Sequence, residues 1–161
     1  MKKYKWLIIL LNLVILLAYY NYSIVQKEKL LKNGQLVLLE LAPVDPRSLM
    51  QGDYMALRYD ISRNNSDDIY KRGYCVVRID HNGVASKVRF QEGLTPLNEG
   101  EHLIRYSSTN GWSVNIGAES FFFQEGHAER YEQAKYGGVK IDGKGNSLLV
   151  GLYDEQFQKI E

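Results

Sequence analysis

Gly52-Asp53-Tyr54-Met55-Ala56-Leu57-Arg58-Tyr59-Asp60-Ile61 is the stretch that decides how this chain folds. Glycine reaches positive φ without steric cost, and Asp hydrogen-bonds its own backbone, so Gly52-Asp53 launches a new element. From Tyr54 onward the residues alternate. Met55, Leu57, Tyr59 and Ile61 share one parity, and Tyr54, Ala56, Arg58 and Asp60 share the other. That is the period of a half-buried strand, with the first set on a core and Tyr54, Arg58 and Asp60 facing outward. Upstream, Pro43 and Pro46 fix φ and remove two donors, so residues 43–47 cannot lie inside a paired strand.

Working outward, further short runs carry the same β signature. Residues 36–41 form an apolar run of strand length, buried on both faces or nearly so. Residues 74–79 and 84–90 flank Asp80-His81-Asn82-Gly83, and residues 103–106 and 112–116 flank Asn110-Gly111. Asn-Gly favours a tight hairpin in both places. Phe121-Phe122-Phe123 is another short strand, and residues 139–141 and 147–152 make a last hairpin. One soluble helix is expected over residues 126–136, with Ala128, Tyr131 and Ala134 or Lys135 as a narrow stripe and Gly137-Gly138 as its end. Eight or nine strands with one short helix predict a mainly β domain, an antiparallel sandwich or barrel over residues 34–161.

Residues 1–33 read as a transmembrane anchor and stalk. Lys2, Lys3 and Lys5 precede an apolar run from Trp6 to Val25. About twenty helical residues cover about 30 Å, the thickness of the hydrocarbon core. Trp6 at one end and Tyr19, Tyr20 and Tyr22 at the other fall where aromatic belts form. A cleaved signal peptide fits less well: the run exceeds a usual apolar region, and Leu17-Ala18-Tyr19-Tyr20 lacks small-x-small residues. Lys27, Lys29 and Lys32 after the run balance the three lysines before it. The short basic tail still reads as a signal anchor with the domain translocated. The helix continues out of the membrane and stops at Asn33-Gly34.

Composition narrows the partners. Without Lys2, Lys3 and Lys5 the chain holds 17 basic and 19 acidic residues. A body so near neutrality, with no basic stripe, argues against nucleic acid. Cys75 is alone, so neither an internal disulfide nor a cysteine metal cluster is possible.

Gly52-Asp53-Tyr54, then Leu57, then Tyr59 resembles the motif of the GDYXXLXYXX family, as do Asp45-Pro46-Arg47 and Phe123-Gln124-Glu125-Gly126. Gln124 stands where that pattern has Pro. The resemblance covers nearly the whole chain. It implies a bacterial protein held in the inner membrane by one span, with an extracytoplasmic, periplasmic domain, often encoded near a multi-spanning membrane protein. It implies architecture and no activity.

No catalytic constellation accompanies that architecture. Asp142-Gly143-Lys144-Gly145-Asn146-Ser147 lacks the spacing and following helix of a phosphate loop, so it reads as a hairpin turn. His81, His102 and His127 show no ligand spacing, and residues 60–68 lack the ordered ligands of a calcium loop. Pro46 to Asp53 resembles the Pro-x-Leu-x-x-Gly-Asp segment of membrane-anchored signal peptidases. No Ser precedes Pro46, however, and Ser48 has only Lys71 and Lys87 as bases by type, so Ser48 is not read as a nucleophile.

What remains is Arg47, Asp53, Tyr54 and Arg58. A structural role is open to them, with Asp53 capping a turn, Arg47 pairing with it and Tyr54 at a sheet edge. As a recognition face they would bind a partner, since Tyr and Arg are the usual anchors. The expected function is therefore non-catalytic and needs no cofactor or metal: a membrane-anchored domain that docks on or positions a membrane or envelope protein. The alternative is a ligand-sensing or hydrolytic domain with a site around Arg47, Asp53 and Tyr54.

Overall fold

The computed structural model describes residues 2–42, 54–63, 69–108, 113–124 and 126–160. Helix α1 runs from Lys2–Asn33, and its 32 residues extend about 48 Å. Within it Tyr4–Asn33 is long and apolar enough to cross a membrane, and its most apolar window is not buried against the rest of the chain. Asn21 folds its polarity back into the helix, donating from Nδ2 to the Leu17 carbonyl at 2.8 Å.

The end of α1 is tied directly to the β domain. The Gly34 N–H donates to the Leu30 carbonyl at 2.8 Å, and Lys140 Nζ donates to the Leu31 carbonyl at 2.5 Å. A cation on the last carbonyls also complements the helix dipole. A Cβ on Gly34 would come within 2.4 Å of the Leu30 oxygen, which is why glycine stands at this joint. Strand β1 (Gln35–Glu40) begins one residue later.

The body is β, as the alternation required. Strand β1 pairs antiparallel with β7 (Tyr136–Ile141), which pairs with β8 (Ser147–Tyr153). A second sheet has the order β4 (Ala85–Gln91), β3 (Arg72–Ile79), β5 (Glu101–Ser107), again antiparallel. The two sheets meet at both margins. Leu38 donates its N–H to the Gly83 carbonyl at 2.8 Å, and Arg105 donates its N–H to the Gly145 carbonyl at 2.7 Å. The result is a partly open, six-stranded barrel around Val37, Leu39, Cys75, Val77, Ile104 and Val139. A short antiparallel ribbon, β2 (Tyr54–Ala56) with β6 (Ser120–Phe122), lies beside it.

Two hairpin turns obey the chemistry expected of them. Asp80 Oδ1 accepts the N–H groups of Asn82 and Val84 at 2.9 and 2.8 Å, with Gly83 at φ +83. Asp142 Oδ1 accepts those of Lys144 and Asn146, both at 2.9 Å, so this Gly-Lys-Gly loop is a β7–β8 turn. Partial burial works against the charge on Asp142. The hydrogen bonds from Asn146 and Lys144 outweigh it and hold the carboxyl below its ordinary value.

Three expectations need correction. The strand expected from Tyr54 to Ile61 ends as paired β2 at Ala56, and residues Asp60–Ser62 form a 3-10 turn. Its parity survives: Met55, Leu57, Tyr59 and Ile61 are buried, whereas Tyr54, Ala56, Arg58 and Asp60 are exposed. The helix expected over 126–136 contracts to α2 (Ala128–Tyr131). Lys135 is already claimed by strand partners, donating to the Tyr153 carbonyl at 2.8 Å and accepting from Leu41 N at 2.9 Å. Gly137 and Gly138 therefore lie inside β7 instead of ending a helix. Residues 113–116 form the isolated bridges Ser107–Asn115 and Arg63–Ser113 in place of the strand expected there, while Val114 and Ile116 are buried in the core.

A polar clamp on the outer face of β3–β5 was not legible in sequence. Glu101 is only 6% exposed, and Arg89 donates to both of its carboxylate oxygens at 2.9 Å. Asn98 adds its N–H at 3.0 Å, and Arg89 also reaches the Pro96 carbonyl at 2.8 Å, so residues 92–100 are held across the sheet. The Arg89 bonds first, and the Asn98 N–H second, hold the Glu101 carboxyl down at about 2. A carboxyl lowered on folding contributes stability above its unfolded pKa of about 4.3, and that stability is lost as pH falls toward 2. The melting midpoint should therefore drop between about pH 4.5 and 2. Glu101→Gln should melt earlier at pH 7 and show a shallower acid dependence, as thermal scans across that range will report.

Candidate functional site

Strand pairing turns the alternation at Tyr54 into a surface. Tyr54 lies opposite Phe122 in the β2–β6 register, so both side chains leave the ribbon on one face. Their rings lie 5.9 Å apart, with Tyr54 41% and Phe122 73% exposed. Arg58 follows on the same parity and is exposed, its carbonyl accepting the Ala42 N–H at 2.7 Å. Leu57 continues the ladder by donating to the Glu119 carbonyl at 2.7 Å. The ribbon thus presents two aromatic rings outward, and Arg58 is exposed two residues past its end.

The opposite face of the ribbon is anchored. Met55 is buried, and Phe121 packs edge-on against Tyr131 at 4.9 Å, with Phe123 5.5 Å from the same ring. Beyond it, Tyr59 is fully buried and donates its hydroxyl to the Ala118 carbonyl at 2.5 Å. Burial first, and the charge of Glu119 second, push its phenol well above the ordinary value. Glu119 in turn accepts the Ile116 and Gly117 N–H groups, the latter at 3.0 Å, and so shapes the approach to β6. Outward rings on a rigid base are well suited to recognition, because little side-chain and backbone freedom remains to be lost on binding.

Of the four residues singled out in sequence, Tyr54 lies on this exposed face and Arg58 is exposed beyond its end. Arg47 and Asp53 lie outside the described residues, as do Ser48 and Glu125. Phe122 was missed. Three consecutive phenylalanines give no hint of which one faces out, and only the register with Tyr54 assigns it.

Among the described residues, Cys75 and Lys87 are engaged in the fold. Burial pushes the Cys75 thiol up to about 12, against a smaller opposing effect of Lys87, leaving almost no thiolate at neutral pH. The Lys87 ammonium donates to the Arg63 carbonyl and lies 5.0 Å over the Phe90 ring. Among the described residues, no three His, Cys, Asp or Glu side chains gather as metal ligands. Asp60 faces Arg63 at 4.0 Å, both largely exposed.

A family model described as GDYXXLXY protein matches residues 16–152. Neither a curated protein nor a solved structure matches the chain.

Proposed function

The chain belongs to the GDYXXLXY family, and we propose that it is a non-catalytic, membrane-anchored domain that docks on a membrane or envelope protein through the β2–β6 face. The observation that carries this reading is the exposed Tyr54–Phe122 pair on a ribbon whose other face is packed. Aromatic and Arg side chains are the usual energetic anchors of protein interfaces. A multi-spanning membrane protein is the partner in view, because α1 would confine this domain to the same bilayer.

On this reading the domain lies outside the cytoplasm, in the periplasm of a bacterial inner membrane, with the basic tail at Lys5 retained inside. The ligand-sensing or hydrolytic alternative has its site around Arg47, Asp53 and Tyr54; of these Tyr54 lies among the described residues, and it does not line the cleft between α1 and the barrel.

Both parts are testable in intact cells. A C-terminal alkaline phosphatase fusion should be active and stay in carbonate-washed membranes; an active cytoplasmic reporter at the same point would invert the topology. A photoreactive residue replacing Phe122 should cross-link to one integral membrane protein, whereas the same residue at exposed Val88 on β4 should not. Equal labelling from both positions would remove the case for a specific face.

A further inference from the structure

We infer that the cleft between the end of α1 and the barrel binds the headgroup of an anionic phospholipid, drawn from the leaflet in which α1 ends. The cleft measures about 1380 Å³ and opens between the last turns of the helix, the start of β3, the end of β5 and the β7–β8 turn. Tyr22, Gln26, Lys29 and Asn33 on its helical wall recur at the spacing of one helix face.

Charge and depth together specify the ligand. Lys27, Lys29, Arg72, Arg105 and Lys144 line the cleft, against two carboxylates, Glu92 and Asp142. The excess of cations is local, since the whole chain carries only +1. Asp142 is occupied within its own turn, and Arg105 lies 5.8 Å over the Tyr74 ring. Among the described residues, no carboxylate lies within ion-pair distance of Lys27, Lys29 or Arg72.

The depth follows from helix geometry. With the apolar run ending at Val25, residues 26–30 rise about 7 Å, the thickness of one headgroup layer. Lys27 and Lys29 therefore stand at the level of lipid phosphates. The single-residue joint at Gly34 and the Lys140–Leu31 bond bring Arg72 and Lys144 down to meet them. The inference holds for either orientation of the span, and does not depend on the docking face.

The test uses the full chain purified in a neutral detergent, with native mass spectrometry counting retained lipid. Phosphatidylglycerol should be retained about tenfold or more over phosphatidylcholine of the same chains, because each basic residue at the surface strengthens anionic binding about fivefold. Lys27→Gln/Arg72→Gln/Lys144→Gln should bring the two lipids near parity without moving the melting midpoint. Should that variant melt early, Lys27→Gln/Lys29→Gln, confined to α1, carries the same comparison. Equal retention by the native chain, or a preference that survives these substitutions, would overturn the assignment. Displacement of phosphatidylglycerol by inorganic phosphate at matching concentration would assign the cleft to a soluble anion and overturn the lipid.

Discussion

Tyr59→Ala should unfold the β domain or bring it close to unfolding. Tyr59 is fully buried, and removing a large aromatic from a core costs about 3–5 kcal/mol, a large share of the about 5–15 kcal/mol that stabilises a domain. The hydroxyl contributes separately. Tyr59→Phe keeps the ring but leaves the Ala118 carbonyl without its 2.5 Å donor, at about 1–3 kcal/mol for an unsatisfied buried group. Thermal melts of the full chain in detergent should therefore order native, Phe and Ala from most to least stable. A Tyr59→Ala midpoint within a degree or two of native would mean that the ring is not a core element.

Gly137→Val should be about as damaging, for the converse reason. Gly137 lies beneath the Tyr59 ring, and a Cβ there would come within 2.7 Å of Tyr59 Cε1. Both neighbouring strands fix the backbone, through Leu39 on β1 and Leu152 on β8. The ring must leave its rotamer or the sheet must open, at a cost of about 3 kcal/mol or more. The coupling is directly measurable. In a Tyr59→Leu background, where the clashing ring atoms are absent, Gly137→Ala should become neutral or stabilising by about 0.5 kcal/mol, the ordinary gain over glycine inside a strand. Additive losses in the double variant would separate the two residues.

The same contact explains what could not be read from sequence. Gly137-Gly138 after a helical stripe looks like a helix stop, yet both glycines are there for close approach, to Tyr59 and to Tyr153. Such contacts bring together residues far apart in the chain, and a local pattern carries no trace of them. Parity is different. The alternation from Tyr54 to Ile61 was legible because it is itself the record of which side chains meet the core, and it persists after the ladder ends. The turns at Asp80 and Asp142 were legible because their own carboxylates close them. The exposure of Tyr54 and Arg58 was likewise legible, from the same parity. Phe122 needed the strand register, and the clamp of Arg89 on Glu101 needed the path of residues 92–100.

Separating recognition from folding at the β2–β6 face requires one paired measurement. Tyr54→Ala and Phe122→Ala remove exposed rings, so each should leave the melting midpoint nearly unchanged, within about 0.5 kcal/mol of stability. If the pair anchors a partner, each should weaken recovery of the membrane protein that the native chain retains in mild detergent, by about 2 kcal/mol or about thirtyfold. Recovery and melting are to be measured on the same preparations. Loss of recovery at an unchanged midpoint is the predicted result; recovery that stays at the native level, or that falls only in step with stability, would contradict a docking role for this face.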